Sequence, residues 1–195
     1  ADVTLGLMDA LGIAQADIVG NSMGGGQALS IALRFPERVR RMVLMGPGGM
    51  LPMFTPFPTE GTRRMATFYA GEGPSEEKMR GVLEMLVYDQ SVITPELVKE
   101  RVKAATRPDV IAAPPWRDHI LDPFWQEKLW EIEHETLILW GREDRVNPAD
   151  GAFYFGKVIQ NAEVHLFPKC GHWVQWEKAE TFNTIVADFL SRDAA

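Results

Sequence analysis

Gly20-Asn21-Ser22-Met23-Gly24 places a serine between two glycines at G-x-S-x-G spacing. Serine is a poor nucleophile at neutral pH until a base takes its proton, and an imidazole acting as that base needs an acid to fix its tautomer. The chain carries four histidines. His165 falls inside an apolar strand pattern, His134 in an acidic stretch before one, and His119 among helical segments. His172, in Lys169-Cys170-Gly171-His172-Trp173, alone occupies a loop between a strand pattern and a helix pattern. For the acid, Gly141-Arg142-Glu143-Asp144-Arg145 follows an apolar run and offers two carboxylates, Glu143 and Asp144. Read singly, Asp144 is an ordinary turn residue and His172 an ordinary loop histidine. Together with Ser22 they describe nucleophilic attack on a carbonyl carbon, the developing oxyanion being received by the backbone N–H of Met23 at a helix N-terminus.

A further signal comes from Arg101. Taking about 100° per residue from Leu97, Arg101 falls between Leu97 and Val98, on the side of Val102 and Ala105, while Glu96, Lys99, Glu100 and Lys103 lie opposite. A guanidinium on an inward stripe requires an anionic or carbonyl partner, because burying it unpaired is costly. One reading is a structural ion pair or a snorkelling side chain; the other is a bidentate clamp for a substrate carboxylate.

These residues need strand ends to hold them, and the patterning supplies them. Asp17 to Gly20, Arg41 to Met45, Thr136 to Trp140 and Glu163 to Phe167 read as short strands, each followed by a loop and a helical pattern, which predicts a parallel α/β sheet. Val3, Leu7, Met8 and Leu11 predict an opening helix capped at Gly12. A second helix runs from the serine turn to Arg34 and ends at Phe35-Pro36. Phe182, Ile185, Val186, Phe189 and Leu190 give a closing helix whose apolar face packs on the sheet. The order strand, serine, helix, acid loop, histidine loop is that of an α/β-hydrolase core. Residues 1–46 and 132–195 are read as this core, and 47–131, rich in proline turns and helical stretches, as a helical lid. One lid helix is predicted from Pro95 to Thr106 after a Thr94 cap.

Composition narrows the classes further. The chain has 195 residues, 46% hydrophobic and 24% charged, with a formal net charge of −7, which fits one globular domain and makes a nucleic-acid partner unfavourable. The longest uncharged run, Met42 to Thr59, is broken by Gly46, Pro47, Gly48, Gly49, Pro52, Pro56 and Pro58, so no membrane-spanning helix is expected there. Cys170 is the one cysteine, so neither an intrachain disulfide nor a thiolate metal cage can form, and a reducing, cytoplasmic compartment is the default expectation.

Gly20 to Gly25, Gly46-Pro47-Gly48-Gly49, Tyr88-Asp89-Gln90-Ser91 leading into Ile93 to Leu97, Gly141 to Pro148, and Lys169 to Lys178 together resemble the meta-cleavage product hydrolases, α/β-hydrolases of aromatic and steroid ring degradation. The likeness runs over nearly the whole chain. It implies Ser22, Asp144 and His172 as the triad, the Met23 N–H as an oxyanion donor, and Asn21, Arg101 and Trp173 as residues lining the site of a small-molecule dienoate. It also implies hydrolysis of a carbon–carbon bond in a 2-hydroxy-6-oxo-hexa-2,4-dienoate, with no metal or organic cofactor, and is compatible with a homo-oligomer. Met50, Met53, Phe54, Phe57 and Phe68 are candidates either for the wall facing the C6 substituent or for plain lid core. Two other readings are a serine esterase on the same triad and a non-catalytic dienoate-binding module. The family pattern has earlier strands and a glycine-rich loop after a His-Gly pair that supplies a second oxyanion donor. Nothing before Asp17 matches these, so the chain is expected to represent a partial copy, with Asp17 to Gly20 as an edge strand, and to fold poorly or turn over weakly alone.

Overall fold

The computed structural model describes residues 1–49, 53–113 and 128–193. Four strands, β1 (Ala16–Asn21), β2 (Val39–Met45), β3 (Thr136–Gly141) and β4 (Ala162–Phe167), form one sheet in the order β1-β2-β3-β4, all neighbours parallel. Their registers bring Gly20 opposite Leu44, Leu44 opposite Ile138 and Ile138 opposite Val164. All four C-terminal ends therefore open at one edge of the sheet, where the loops of a parallel α/β protein collect their chemistry.

The pleat divides the core in two. Met42, Leu44, Ile138 and Trp140 face a cluster completed by Ala28, Leu29, Ile31 and Ala32 of α2 (Met23–Arg34), Leu5 and Met8 of α1 (Asp2–Ala10), and Ala152 and Phe155 of α7 (Asp150–Val158). Val43, Met45, Leu137 and Leu139 face the other side, against Phe167, Cys170, Val174, and Phe182 and Phe189 of α9 (Ala179–Ser191). Alternate residues on central strands are thus buried on both faces, as parallel sheets require. The α9 end is fastened by Arg41, whose side chain is 1% exposed: Nε donates to Glu135 Oε2 at 2.5 Å, and the remaining nitrogens donate to the carbonyls of Leu190, Arg192 and Asp193.

The opening helix, α1, forms as its apolar spacing predicts, with Gly12 at φ 68° just past its end. Leu5 and Met8 are its buried residues, whereas Val3, Leu7 and Leu11 are exposed, Val3 by 88%. The other apolar residues of the helix stay exposed, as does Val19 of β1, the edge strand, at 48%.

Between β2 and β3 the described residues hold the α-helices α3 (Glu60–Ala66), α4 (Glu76–Leu86), α5 (Pro95–Ala105) and α6 (Pro108–Ala112), two short 3-10 turns at Gln90–Val92 and Leu129–Glu131, and no strand. Side-chain oxygens of Thr59, Ser75 and Thr94 cap the first three, accepting from Thr62, Lys78 and Leu97 N–H. Phe68, Met79, Leu83, Met85, Leu86, Val87, Ile93 and Val98 form a third core that also takes in Val146 and, partly buried, Trp173. The helical insertion is therefore packed directly on the loops after β3 and β4. Phe68 belongs to this core, while Met53, Phe54 and Phe57 are exposed. Met50, His119 and the rest of the 114–127 stretch of the insertion lie outside the described residues. Leu129, near the end of the insertion, already packs in the sheet core.

Candidate active site

β1 runs into Ser22, and α2 starts at Met23. The reversal is sharp enough that a Cβ on Gly20 would lie 2.4 Å from the backbone of Gly24, so only glycine fits there. Ser22 itself adopts φ 56°, ψ −117°, a region that costs a non-glycine residue on the order of 1–3 kcal/mol and persists only where surroundings over-determine it. They do: Ser22 N–H donates to Met45 O at 2.9 Å, and Ser22 O accepts from Gly48 N–H at 2.9 Å and Gly26 N–H at 3.1 Å. No side chain caps α2, so the first-turn N–H groups, Met23 included, meet the region in front of the serine with the positive end of the helix.

The loop after β3 brings in Asp144. Its Oδ1 accepts from the N–H groups of Val146 and Asn147 at 2.8 and 3.0 Å, and its Oδ2 lies 2.6 Å from His172 Nδ1. Both side chains are buried, Asp144 completely. An ionised carboxylate can only accept, so Nδ1 carries the proton and Nε2 is left as the basic nitrogen. Glu143 turns the other way: Oε2 accepts from Cys170 N–H at 3.1 Å and Oε1 pairs with Arg142. Burial would raise the Glu143 carboxyl, but the Cys170 amide and Arg142 outweigh it and hold the group below the usual carboxylate range. Of the two acids the sequence offers, Asp144 meets the imidazole.

Asn21 links the serine and histidine segments. Its Nδ2 donates to Met45 O at 3.0 Å and to His172 O at 3.2 Å. Both donors of this amide are committed to protein carbonyls, so what Asn21 offers a ligand is its oxygen. Among the described residues no hydrogen bond joins Ser22 Oγ to His172 Nε2. Asn147 adds a second link, donating from Nδ2 to Gly46 O at 2.8 Å, and Gly46, at φ 43°, lies against both Asp144 and His172.

Arg101 stands where the helical wheel did not place it. It is exposed, not buried in the α5 stripe, where Val98 is the buried residue, and its guanidinium lies over the Trp173 ring with Cζ 5.8 Å from the centroid. The wheel fixes an angle about α5 but not what packs there; the indole face supplies the partner. The other described histidines have structural partners: His165 pairs with Glu163 at 2.7 Å and His134 contacts Pro36 O at 2.9 Å. Among the described residues no group of three or more His, Cys, Asp or Glu is placed to hold a metal, and no helix is long and apolar enough to cross a membrane.

Two residues at this site carry no sequence signal of their role. Asn147 and Glu177 both lie in motifs singled out above, but their partners are distant in the chain: Gly46 for Asn147, and Gly171 together with Tyr88 and Asp89 for Glu177.

Comparison with known proteins agrees with this arrangement. A family model described as the alpha/beta hydrolase fold matches residues 1–179. The chain is 43% identical over 194 residues to a 2-hydroxy-6-oxo-6-phenylhexa-2,4-dienoate hydrolase of Comamonas testosteroni, covering 95% of this chain and 66% of that protein. It is 39% identical over 205 residues to a 2-hydroxy-6-oxononadienedioate/2-hydroxy-6-oxononatrienedioate hydrolase of Burkholderia vietnamiensis, covering 98% of this chain and 68% of the relative. The solved structure of a mutant meta-cleavage product hydrolase from Pseudomonas fluorescens IP01, complexed with acetates, superposes with a TM-score of 0.80 at 38% identity, over 96% of this chain and 68% of that one. The chain thus spans about two thirds of the length of these proteins. A parallel sheet with a serine bend after β1, an acid after β3 and a histidine after β4, matched over this span, means that the chain belongs to the α/β-hydrolase fold family and, within it, to the meta-cleavage product hydrolases.

Proposed function

We propose that Ser22, His172 and Asp144 act as a catalytic triad that hydrolyses the carbon–carbon bond of a 2-hydroxy-6-oxo-hexa-2,4-dienoate. The observation that carries this reading is the buried 2.6 Å contact between His172 Nδ1 and Asp144 Oδ2 at the strand edge where Ser22 occupies its strained bend. The dienol first ketonises, the 2-hydroxyl giving up its proton as C5 gains one. Ser22 Oγ then bonds to C6, its proton passing to His172 Nε2, while the N–H of Met23 receives the oxyanion. The C5–C6 bond breaks, its electron pair moves through the conjugated 2-oxo acid to the 2-oxygen, which takes the serine proton from His172, and 2-hydroxypenta-2,4-dienoate leaves. Water, deprotonated by His172, attacks the acyl-serine; the C–Oγ bond breaks, His172 returns the proton to Ser22 Oγ, and a carboxylic acid is released. Asp144 holds the imidazole tautomer and stabilises the imidazolium. Arg101, steadied on Trp173, takes the substrate carboxylate, and the Asn21 oxygen faces the 2-hydroxyl. No cofactor enters the scheme. We place the reaction in the cytoplasm, which suits a chain whose one cysteine is buried, and the negative net charge favours no nucleic-acid partner.

The test follows loss of the yellow dienolate absorbance beside hydrolysis of a nitrophenyl ester. Ser22→Ala should remove both activities, by about 10⁴-fold or more. Arg101→Ala should harm the carboxylate-bearing dienoate far more than the ester. Wild-type dienoate turnover in Ser22→Ala would overturn the reading, and equal loss on both substrates in Arg101→Ala would point instead to a general esterase.

A further inference from the structure

Glu177 ends α8 (Val174–Glu177), the short helix that follows His172. Its carboxylate stands between two segments far apart in the chain. Oε2 accepts from Gly171 N–H at 2.6 Å, the amide directly before His172. Oε1 accepts from Tyr88 N–H at 2.7 Å and from Asp89 N–H at 3.3 Å, where the chain leaves α4. The two segments also touch through their main chains. His172 N–H donates to Leu86 O at 2.8 Å, and a Cβ on Gly171 would lie 2.7 Å from Leu86 O and 3.0 Å from Tyr88 N. On the sheet side, Glu143 takes the preceding amide, Cys170 N–H, at 3.1 Å. Three consecutive amides, 170 to 172, thus have acceptors, and two of these belong to groups bonded to the helical insertion or part of it.

We propose that Glu177 is a positioning residue that makes the placement of His172 depend on the docking of Leu86–Asp89; this rests on the triad reading above. Three backbone donors converge on one carboxylate, and bonds to a charged acceptor are roughly twice as strong as neutral ones. When the 86–89 segment is seated, Glu177 and Leu86 hold the main chain of Gly171 and His172 against the acid loop. When it lifts, the Leu86 anchor on His172 N–H is lost and Glu177, no longer fixed by Tyr88 and Asp89, keeps only Gly171, so the carboxylate that steadies the loop is itself free to move. The base is therefore assembled with the closed insertion. Glutamine at 177 has one acceptor oxygen and can serve only one segment; alanine serves neither.

The experiment compares wild type, Glu177→Gln and Glu177→Ala in kcat and KM for the dienoate, per folded molecule by near-ultraviolet circular dichroism. Backbone amide exchange at Gly171, Tyr88 and Asp89, and the downfield proton resonance of His172 Nδ1, are measured alongside. Glu177→Ala should lower kcat by on the order of 10²-fold, the loss expected of a misplaced catalytic group, while KM changes much less. Glu177→Gln should fall between. Exchange at Gly171 and at Tyr88 should quicken together, and the His172 resonance should broaden. Should Glu177→Ala fail to fold, Glu177→Gln carries the same comparison. Unchanged kcat per folded molecule with an unaltered His172 resonance would overturn the proposal, as would faster exchange at Gly171 with Tyr88 and Asp89 unaffected. A wild-type protein that turns over no dienoate would refute the functional reading, and the exchange and resonance data would still decide the role of Glu177.

Discussion

Gly46→Ala separates the geometry of the Asp144–His172 pair from stability. Gly46 has φ 43°, and a Cβ built there would lie 3.0 Å from Asp144 Oδ2, 3.3 Å from His172 Nδ1 and 3.4 Å from His172 Cε1. A left-handed backbone costs an L residue roughly 1–2 kcal/mol. For a chain of this size that lowers Tm by about 2–8 °C. The methyl group also needs a few tenths of an ångström, and its neighbours are the two polar groups whose 2.6 Å contact sets the imidazole tautomer. A displacement near 1 Å costs about 10²-fold in rate, so this smaller one should cost roughly tenfold in kcat. Gly71→Ala is the control: φ is 64°, but nothing lies within 4 Å of the added Cβ. It should lose comparable stability and keep full activity. Thermal melts and dienoate turnover of both variants make the comparison. If Gly46→Ala and Gly71→Ala lose the same stability and neither loses rate, the idea that Gly46 shields the acid–imidazole contact is wrong.

Other outcomes follow from the same site. Asp144→Asn should lower kcat by about 10⁴-fold through the wrong imidazole tautomer, whereas Glu143→Gln should leave the tautomer intact and cost mainly stability; steady-state rates of the two variants decide between the acids. The Glu143 carboxyl is held below its ordinary range, so its stabilising effect is complete above the unfolded value and is lost as pH falls through the lower folded value. Melts from pH 6 down to about 3 should show this loss in wild type and a shallower slope in Glu143→Gln. The Cys170 thiol is pushed up to about 12, chiefly by burial, with Glu177 adding to it. It should resist alkylation by iodoacetamide at pH 8 in native protein and react only after unfolding, as mass spectrometry would show.

The sheet was legible because each strand is an apolar run between turn residues; Thr136 to Trp140 differs from the observed β3 only by Gly141. The Ser22 bend was legible because glycine on either side has a steric reason that sequence spacing expresses directly. Choosing between Glu143 and Asp144 was beyond the residue pattern, since adjacent residues in one turn point to opposite sides and only the path of the His172 loop says which side matters. The spacing of Val3, Leu7, Met8 and Leu11 announces α1 but not its packed face: Met8 is buried with Leu5, while Val3, Leu7 and Leu11 are exposed. Arg101 shows the same limit on α5. Glu177 was out of reach: its partner Tyr88 is 89 residues away, and a glutamate in a short helix beside tryptophans gives no local sign of the amides it will meet.

Where Gly141 meets Cys170 and Gly171, the acid and histidine loops touch main chain to main chain. A Cβ on Gly141 would fall 1.9 Å from Gly171 O and 2.4 Å from Cys170 O, and Glu143 N–H donates to Cys170 O at 3.0 Å. These backbone contacts, together with the Glu143 carboxylate on Cys170 N–H, fix the spacing of carboxylate and imidazole more directly than the volumes of Val43, Leu137 or Phe182 beneath. Substitutions that loosen that hydrophobic layer should make the protein melt sooner while the surviving native molecules work at an undiminished pace.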